Sequence, residues 1–553
     1  MPVVKLRLRE LRRMLGVDVS TEELLERMPM LGCDVEGVEG EHVYVEYFPN
    51  RPDLYSVEGV ARAYRAFFGI EPGLREYTAQ EPEMQMRVER GVEGVRPFIA
   101  CCEVLNAELD GELVGELMEL QEKLHWALGR NRRRASIGVH DLREVEPPLR
   151  YAAAGGEELR FVPLGESREM SLAEVLREHP KGREYGHILR GSSRVPVVLD
   201  SGGKVLSLPP VINSELTRVT EESEHLLIEV TGTDRRAVKH ALNVIATAMG
   251  ERGFGLRKVE VLYPGLTEVT PELEPEEMVL EVGYVRRMLG FGIGEEEVVE
   301  SLRRMGYGAE AEGGRVRVRV PCYRCDILHL IDLVEDVAIG YGYERLPEAL
   351  PEIPSAGVEL EAEALEQKLR ALLPGYGFTE VLNLMLSNPG ENFMSMRRSG
   401  EAVEVSNPIS EEHTIVRTSL LPKLLATLRQ NRHHELPQRI FEAGDVLLLG
   451  DGRVERRRRV AMAVIHAKAG FAEIRGIAQG VLRDFGAEAE FVPHEDGAFL
   501  QGRCAAVMVS GRLAGVLGEV HPEVLERFEL EYPVAALELE LEALGGRGAV
   551  PKV

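Results

Sequence analysis

One stretch of this chain occurs twice, and any fold has to house both copies. Residues 12–32 and 286–306 align without a gap at an offset of 274 (286 − 12). Arg12-Arg13-Met14-Leu15-Gly16 recurs as Arg286-Arg287-Met288-Leu289-Gly290, and the helix-periodic stretch from Glu22 to Gly32 recurs from Glu296 to Gly306. Each copy runs on into an alternating strand, VYVEYFP or VRVRVPCYR, then to an acidic residue, Asp53 or Asp326. Each closes with a helix-like run, Glu58 to Tyr64 or Glu335 to Tyr341. Chance supplies a five-residue match but does not keep helix, helix, strand and helix in one order. Two small helical modules with a β element are therefore expected at residues 1–70 and 265–346.

At 553 residues the chain is long enough for roughly three to five domains. Between the modules lies different material. RPFIACCEVL reads as a strand, and Leu113, Leu117, Leu120, Leu124 and Leu128 mark one face of an amphipathic helix. VPVVLD and KVLSL flank Ser201-Gly202-Gly203, whose glycines tolerate the positive φ of a hairpin turn. HLLIEV is a buried strand, and Thr233 or Asp234 caps the helix through VKHALNVIATAM. These make a mixed α/β domain over 85–255. The Pro- and Glu-rich LPEALPEIPSAGVELEAEAL is a linker. Beyond it, over 357–553, the strands RRRVAMAVIH, RCAAVMV and RLAGVLGEV alternate with helices and predict an antiparallel sheet with helices on one face. The fold class is α+β and multidomain.

Against 66 basic residues stand 92 acidic ones, a formal charge of −26, so the molecule as a whole repels a phosphate backbone. Contact with nucleic acid falls to a local patch or to a partner. Arg130-Asn131-Arg132-Arg133-Arg134 is the local candidate, a solvated loop being the plain alternative. No apolar run reaches the ~18 residues of a membrane span. The opening MPVVKLRLRELRRML lacks the layout of a secretory leader, so a cytoplasmic protein is expected. Six cysteines, at 33, 101, 102, 322, 325 and 504, form no regular framework and are expected as free thiols. Cys322-x-x-Cys325 with His329 is at most half of a zinc site, because no second pair stands at a matching distance.

Chemistry has three candidate places. In the second module Asp332, Glu335 and Asp336 stand at i, i+3 and i+4, with Asp326 shortly before. Like charges so spaced destabilise a helix, and a hard divalent cation relieves them. A partner's arginines, or plain solvation of the helix, are the alternatives. The first module is an internal control, carrying Tyr55, Glu58 and Gly59 in that pattern. In the central domain Ser207, Asn213, Ser214, Glu229 and Thr231 gather where strands end, with Gln121, His125 and His140 elsewhere in the domain. No nucleophile elbow is present, so hydrolysis there has to use a positioned water. Ordinary strand-edge polarity is the alternative. Near the C-terminus, Arg417, a helix, and then Arg439-Ile440-Phe441-Glu442 are similar to the second motif of class II aminoacyl-tRNA synthetases. The third motif needs a glycine-rich strand running into an arginine, and Gly515 to Pro522 contains none. A Walker loop is missing as well. This sheet is expected to be catalytic in shape without the groups that activate an amino acid.

Taken in order, FPNRPDLYSVEG, RPFIACCEV with QEKLH and SIGVHD, LPPVINSELT with EVTGTD, PCYRCDILHLIDLVEDVAIGYGY, and NPISEEHTIVRTSLLP with GEVHP cover nearly the whole chain. The chain so read resembles the beta-chain family of phenylalanine–tRNA ligase, in its archaeal and eukaryotic type, which lacks the extra nucleic-acid-binding modules of the bacterial type. The resemblance implies an α2β2 assembly whose alpha chain holds ATP and phenylalanine, forms the adenylate and charges the tRNA for phenylalanine. It implies that Asp326, Asp332, Glu335 and Asp336 bind magnesium (Mg2+) at the contact with alpha. It implies an editing pocket for mischarged tyrosine built from Ser207, Asn213, Glu229 and Thr231, with Gln121 and Arg132 near the tRNA end. Where Glu229 stands, the family pattern carries aspartate, one methylene shorter. A hydrophobic pocket rejects an added hydroxyl by only about a hundredfold, which is the physical reason for a second sieve. A non-enzymatic scaffold derived from a synthetase and a stand-alone editing hydrolase are the rival readings.

Overall fold

The computed structural model describes residues 2–350, 355–450 and 452–544. The chain forms two compact units, residues 1–350 and 351–553. Residues 351–354 of the expected linker lie outside the described residues, and the linker's final residues already belong to the helix Glu361–Leu372.

In the first unit the repeat is structural. Each module has a three-stranded antiparallel sheet with its last strand in the middle. Val3–Arg7, His42–Tyr47 and Cys33–Glu39 make one, and Glu276–Glu281, Arg315–Val320 and Gly308–Ala311 make the other. The helices Leu8–Leu15 and Val282–Leu289 both end at a left-handed glycine, Gly16 at φ 73° and Gly290 at φ 81°. Glycine takes that conformation without a Cβ penalty, which accounts for its recurrence. The recurring arginine has an equal role in both copies. Arg12 Nε donates to the carbonyl of Val19 at 2.9 Å, and Arg286 Nε to that of Ile293 at 2.7 Å, tying each helix to the loop after it.

Helical register revises the internal control. Ser56 and His329 are the N-caps of the helices Val57–Phe67 and Leu330–Tyr341, each three residues past its aspartate (56 − 53; 329 − 326). Counted from those caps, Asp332, Glu335 and Asp336 correspond to Gly59, Arg62 and Ala63, so the first copy has none of the three carboxylates. The two helices are thus in register at an offset of 273 (329 − 56), one helical turn from the offset of 277 (335 − 58) that pairs Glu58 with Glu335, because a turn carries no marker of its own.

Between the modules runs a mixed sheet wider than expected. It takes in Gln80–Val88, which pairs in parallel with Gly255–Tyr263, and then Leu266–Thr270, so the sheet extends beyond 85–255 at both ends. Its inner strand Phe98–Leu105 alternates: Ile99 and Cys101 face one core, and Ala100, Cys102 and Val104 face the other. Cys101 and Cys102 therefore point to opposite sides, and all six cysteines are free thiols. The second of these cores also contains both modules, so the first three expected segments fold around continuous apolar packing. The hairpin around Ser201-Gly202-Gly203 joins Arg194–Leu199 to Val205–Leu208 as expected, and Asp234 rather than Thr233 caps its helix by accepting from the N–H of Ala237.

The second unit is a seven-stranded sheet, antiparallel except for a short parallel pairing of Thr379–Glu380 with Gln438–Gly450. Helices cover both faces, not one. Along Arg453–Ile465, Val460, Met462 and Val464 pack with the helix Phe471–Asp484, whereas Ala461, Ala463 and Ile465 pack with Leu421–Gln430. The strand is apolar on both sides for that reason.

Candidate functional site

A cavity of about 550 Å³ opens in the central sheet of the first unit. The helix Gly111–Trp126 contributes Gln121 and Glu122 to its wall, and the chain just beyond contributes Arg132. The strand Ala135–Asp141 supplies Ser136, Ile137 and Val139, the short strand Ile212–Asn213 supplies Asn213, the 3-10 turn Glu215–Thr217 supplies Thr217, and the strand Leu226–Gly232 supplies Glu229. Volume and largely apolar lining with a few converging polar groups suit a small organic ligand.

Glu229 is 2% exposed. Ser207 Oγ donates to its Oε1 at 3.1 Å, and His140 Nε2 lies 3.8 Å from the same oxygen. These groups converge because Gly138, paired across the sheet with Glu229, has no side chain. A Cβ there would come within 2.7 Å of both Glu229 Oε1 and His140 Nε2, and 3.2 Å of Asn213 Oδ1. Asn213 donates its Nδ2 to the carbonyl of Val139 at 3.2 Å. Glu229 Oε2, His140 Nε2, Gln121 Oε1 and Arg132 Nε are buried with no hydrogen-bond partner. Buried polar atoms are normally satisfied, so several orphans around one cavity mark places for a ligand's polar groups.

The wall itself is pinned. His125 Nε2 accepts from the N–H of Ile137 at 2.8 Å, so its Nδ1 carries the proton toward Glu122 Oε1, 3.3 Å away. Burial lowers the His125 pKa and keeps the ring neutral. Arg132 Nη2 donates to Glu122 Oε1 at 2.7 Å, its Nη1 to the carbonyls of Pro210 and Val211, and its guanidinium lies 4.2 Å from the Tyr185 ring centroid. Burial acts to raise the Glu122 carboxyl, but the bond from His125 and the charge of Arg132 outweigh it and hold the group at about 2. Arg130, Asn131 and Arg132 are all left-handed, at φ 48°, 53° and 64°. Such conformations cost about 1–3 kcal/mol each outside glycine and concentrate at functional positions.

Of the six residues expected in the pocket, Gln121, Arg132, Asn213 and Glu229 line the cavity. Ser207 stands one layer behind and acts through Glu229. Thr231 is fully buried away from the wall, where its hydroxyl accepts from Arg96 Nε at 3.0 Å and its carbonyl from Arg96 Nη2 at 2.7 Å. Arg96 also donates to Ser136 Oγ, and burial lowers its pKa to about 10. Arg96, Gly138 and Thr217 also belong to the site, and no spacing in the sequence singles them out, because each acts across strands far apart in the chain. Thr217 Oγ1 meets His140 Nδ1 at 2.8 Å.

One arginine from within the second module answers part of its acidic cluster. Arg324 Nε and Nη2 bond both oxygens of Asp326 at 2.9 and 2.7 Å, and Nη2 also reaches Asp336 Oδ2 at 2.6 Å. The Tyr307 hydroxyl donates to that same oxygen. Asp332 Oδ2 accepts from the N–H groups of Leu328 and His329 at 2.7 Å each and caps its helix. Partial burial, with Asp336, Asp332 and Asp326 nearby, raises the carboxyl of Glu335. Among the described residues no three His, Cys, Asp or Glu are grouped to hold a metal ion, which applies to these four carboxylates and to Cys322, Cys325 and His329 alike. Of the four expected magnesium ligands, Asp326 and Asp336 are taken by an internal guanidinium and Asp332 by two backbone N–H groups, an arrangement that does not present the four together to a cation. Arg51 and Asp53 repeat the bidentate bond in the first module at 2.8 Å.

In the second unit Arg417 is buried against Glu442 at 2.5 Å. The neighbouring cavity of about 320 Å³ faces Arg398 and Arg459, which are spent on Asp496 (2.9 and 2.7 Å) and Glu540 (2.8 Å). Neither is left free for a phosphate.

Comparisons with known proteins agree along the chain. Residues 114–270 match the B3/4 domain, 278–343 the tRNA synthetase B5 domain, and 346–541 the phenylalanyl tRNA synthetase beta chain CLM domain. The phenylalanine–tRNA ligase beta subunit of Archaeoglobus fulgidus is 47% identical over 552 residues, covering 99% of this chain and 100% of the relative. That of Methanothrix thermoacetophila is 45% identical, covering 98% and 100%. A crystal structure of an N-terminal fragment of the phenylalanyl-tRNA synthetase beta subunit from Pyrococcus horikoshii matches with a TM-score of 0.59 at 38% identity, over 62% of this chain and 99% of the fragment.

Proposed function

The chain belongs to the phenylalanine–tRNA ligase beta-subunit family, and from that premise we propose that it joins an alpha subunit in an α2β2 cytoplasmic assembly that attaches phenylalanine to its tRNA with ATP, while its own central cavity hydrolyses tyrosine wrongly attached to that tRNA. The observation that carries the editing reading is Glu229: a buried carboxylate at the cavity floor whose Oε2 has no donor. A phenolic hydroxyl satisfies that oxygen. A phenyl ring leaves it unpaired and buried, and sites built to bond a hydroxyl reject the analogue lacking it by roughly 10⁴-fold or more. The synthetic pocket on alpha errs in the opposite direction, so the two sieves complement each other.

Ser207 is not a free nucleophile, since its proton is committed to Glu229. Attack on the ester therefore falls to water, with Asn213 Oδ1 as the acceptor placed to orient it, and with Arg132 and Gln121 at the wall to hold the tRNA end. Synthesis is assigned to alpha, consistent with the self-paired arginines of the second unit. No step is routed through magnesium on this chain.

The test uses the purified chain on tyrosyl- and phenylalanyl-tRNA, followed by aminoacylation with this chain, a candidate alpha chain, and the two mixed. Tyrosyl ester hydrolysis that Glu229→Ala abolishes, with charging only in the mixture, is expected. Charging by alpha alone would make this chain a scaffold, and equal hydrolysis of both esters would refute the assignment of Glu229.

A further inference from the structure

The cavity rim continues onto a surface that hydrolysis does not use. Trp126 is the chain's sole tryptophan and remains 48% exposed at the end of the helix Gly111–Trp126. It stands four residues past Glu122, on the same helical face, and Glu122 lines the cavity. The left-handed curl at Arg130, Asn131 and Arg132 then sorts the arginines. Arg132 turns inward to Glu122, and Arg134 pairs with Asp234. Arg130 and Arg133 stay exposed, and no side-chain hydrogen bond or ion pair engages either guanidinium among the described residues. From Ala127 to His140 there are four arginines and no carboxylate, in a chain of charge −26. The nearest acids on the helix are occupied, Glu119 by Lys123 at 2.9 Å and Glu122 by Arg132. With 92 acidic residues available, two guanidiniums left unneutralised beside an exposed indole are a local reversal of the molecule's field.

We propose that Trp126, Arg130 and Arg133 form a docking strip for single-stranded RNA at the cavity mouth, with a base stacked on the indole and phosphates on the two guanidiniums. This deepens the editing reading and rests on it for the identity of the RNA, the unpaired 3′ end of a tRNA whose terminal ester enters the cavity. An aromatic platform flanked by cations is the general means of holding single strands without reading their sequence. An acidic protein segment would use the guanidiniums but not the indole, and RNA that fails to bind or leaves the Trp126 emission unchanged returns the strip to that reading.

Because Trp126 is the only tryptophan, its emission reports this strip alone. The full chain is titrated with a single-stranded RNA of about twelve nucleotides ending in CCA, and with whole tRNA, across a salt series. Saturable quenching is expected. In the Arg130→Ala/Arg133→Ala double variant the slope of log Kd against log salt should fall by about 1.4, two contacts at about 0.7 each. Trp126→Ala should weaken binding, followed by filter retention, by roughly fivefold to a hundredfold. Circular dichroism verifies that these surface variants fold. Failure of the RNA to bind at low salt, binding that leaves the emission unchanged, or an unaltered salt slope would each overturn the strip. Hydrolysis of mischarged tRNA by the same proteins separates the two claims. Wild-type hydrolysis with KM unchanged in the variants removes the strip and leaves editing; RNA binding as expected without any hydrolysis removes editing and leaves the strip.

Discussion

At Gly138 a single hydrogen decides whether the cavity floor exists. From the strand position opposite Glu229 a methyl group would reach Glu229, His140 and Asn213 at once. Gly138→Ala should therefore lower tyrosyl-tRNA hydrolysis at least tenfold while costing about 1–3 kcal/mol of stability, the usual range for overpacking; charging by the mixed subunits should remain. A variant that hydrolyses normally would mean the three groups do not act together. Glu122 makes a different kind of prediction. Its carboxyl titrates near 4.5 when unfolded and at about 2 when folded, because His125 and Arg132 offset its burial. A depressed acid contributes stability that is whole above about 4.5 and is lost as pH falls through about 2. The unfolding free energies of wild type and Glu122→Gln should thus differ by a constant amount at neutral pH and converge through that acid window. A gap that stays constant to pH 2 would show the carboxylate is not held as described.

Among elements, the repeat was the most legible feature, because its markers are local: a glycine that must be left-handed, and an arginine that bonds a carbonyl seven residues on. The hairpin and the Gly111–Trp126 helix were readable for the same reason. Features that escaped reading depend on partners distant in sequence. Strand pairing of Gln80–Val88 with Gly255–Tyr263 widened the central sheet, and helices on both sides of Arg453–Ile465 left no polar face to announce themselves. The acidic face of Leu330–Tyr341 was visible, but Arg324, which answers it, was hidden inside the PCYRC turn. That arginine braces the turn through Asp326 and pins it to the helix through Asp336. Arg324→Met should destabilise the chain by about 3–5 kcal/mol in urea, as expected when one partner of a buried ion pair is removed. Millimolar magnesium should leave the wild-type midpoint unmoved, and a clear upward shift would show that a cation displaces Arg324.

For the molecule as a whole, the division at residue 350 separates the unit that holds the proposed editing cavity from the unit that matches the beta chain CLM domain. The apolar packing of the first unit runs without interruption from Val4 in the first module, through the central sheet, to Val337 in the second. A core closed on itself in this way is what lets a segment fold alone. The fragment of residues 1–350 should accordingly unfold cooperatively, and since Trp126 lies within it, the same emission follows the transition in fragment and full chain. Equal urea midpoints are expected. A fragment with no transition would show that its core needs residues beyond 350, and the cavity could then no longer be treated as a self-sufficient site. If the midpoints agree, tyrosyl-tRNA hydrolysis by the fragment becomes the sharper comparison: the cavity walls, Glu229 and the Trp126 strip all lie in the first unit, so hydrolysis should survive the truncation that abolishes charging with alpha.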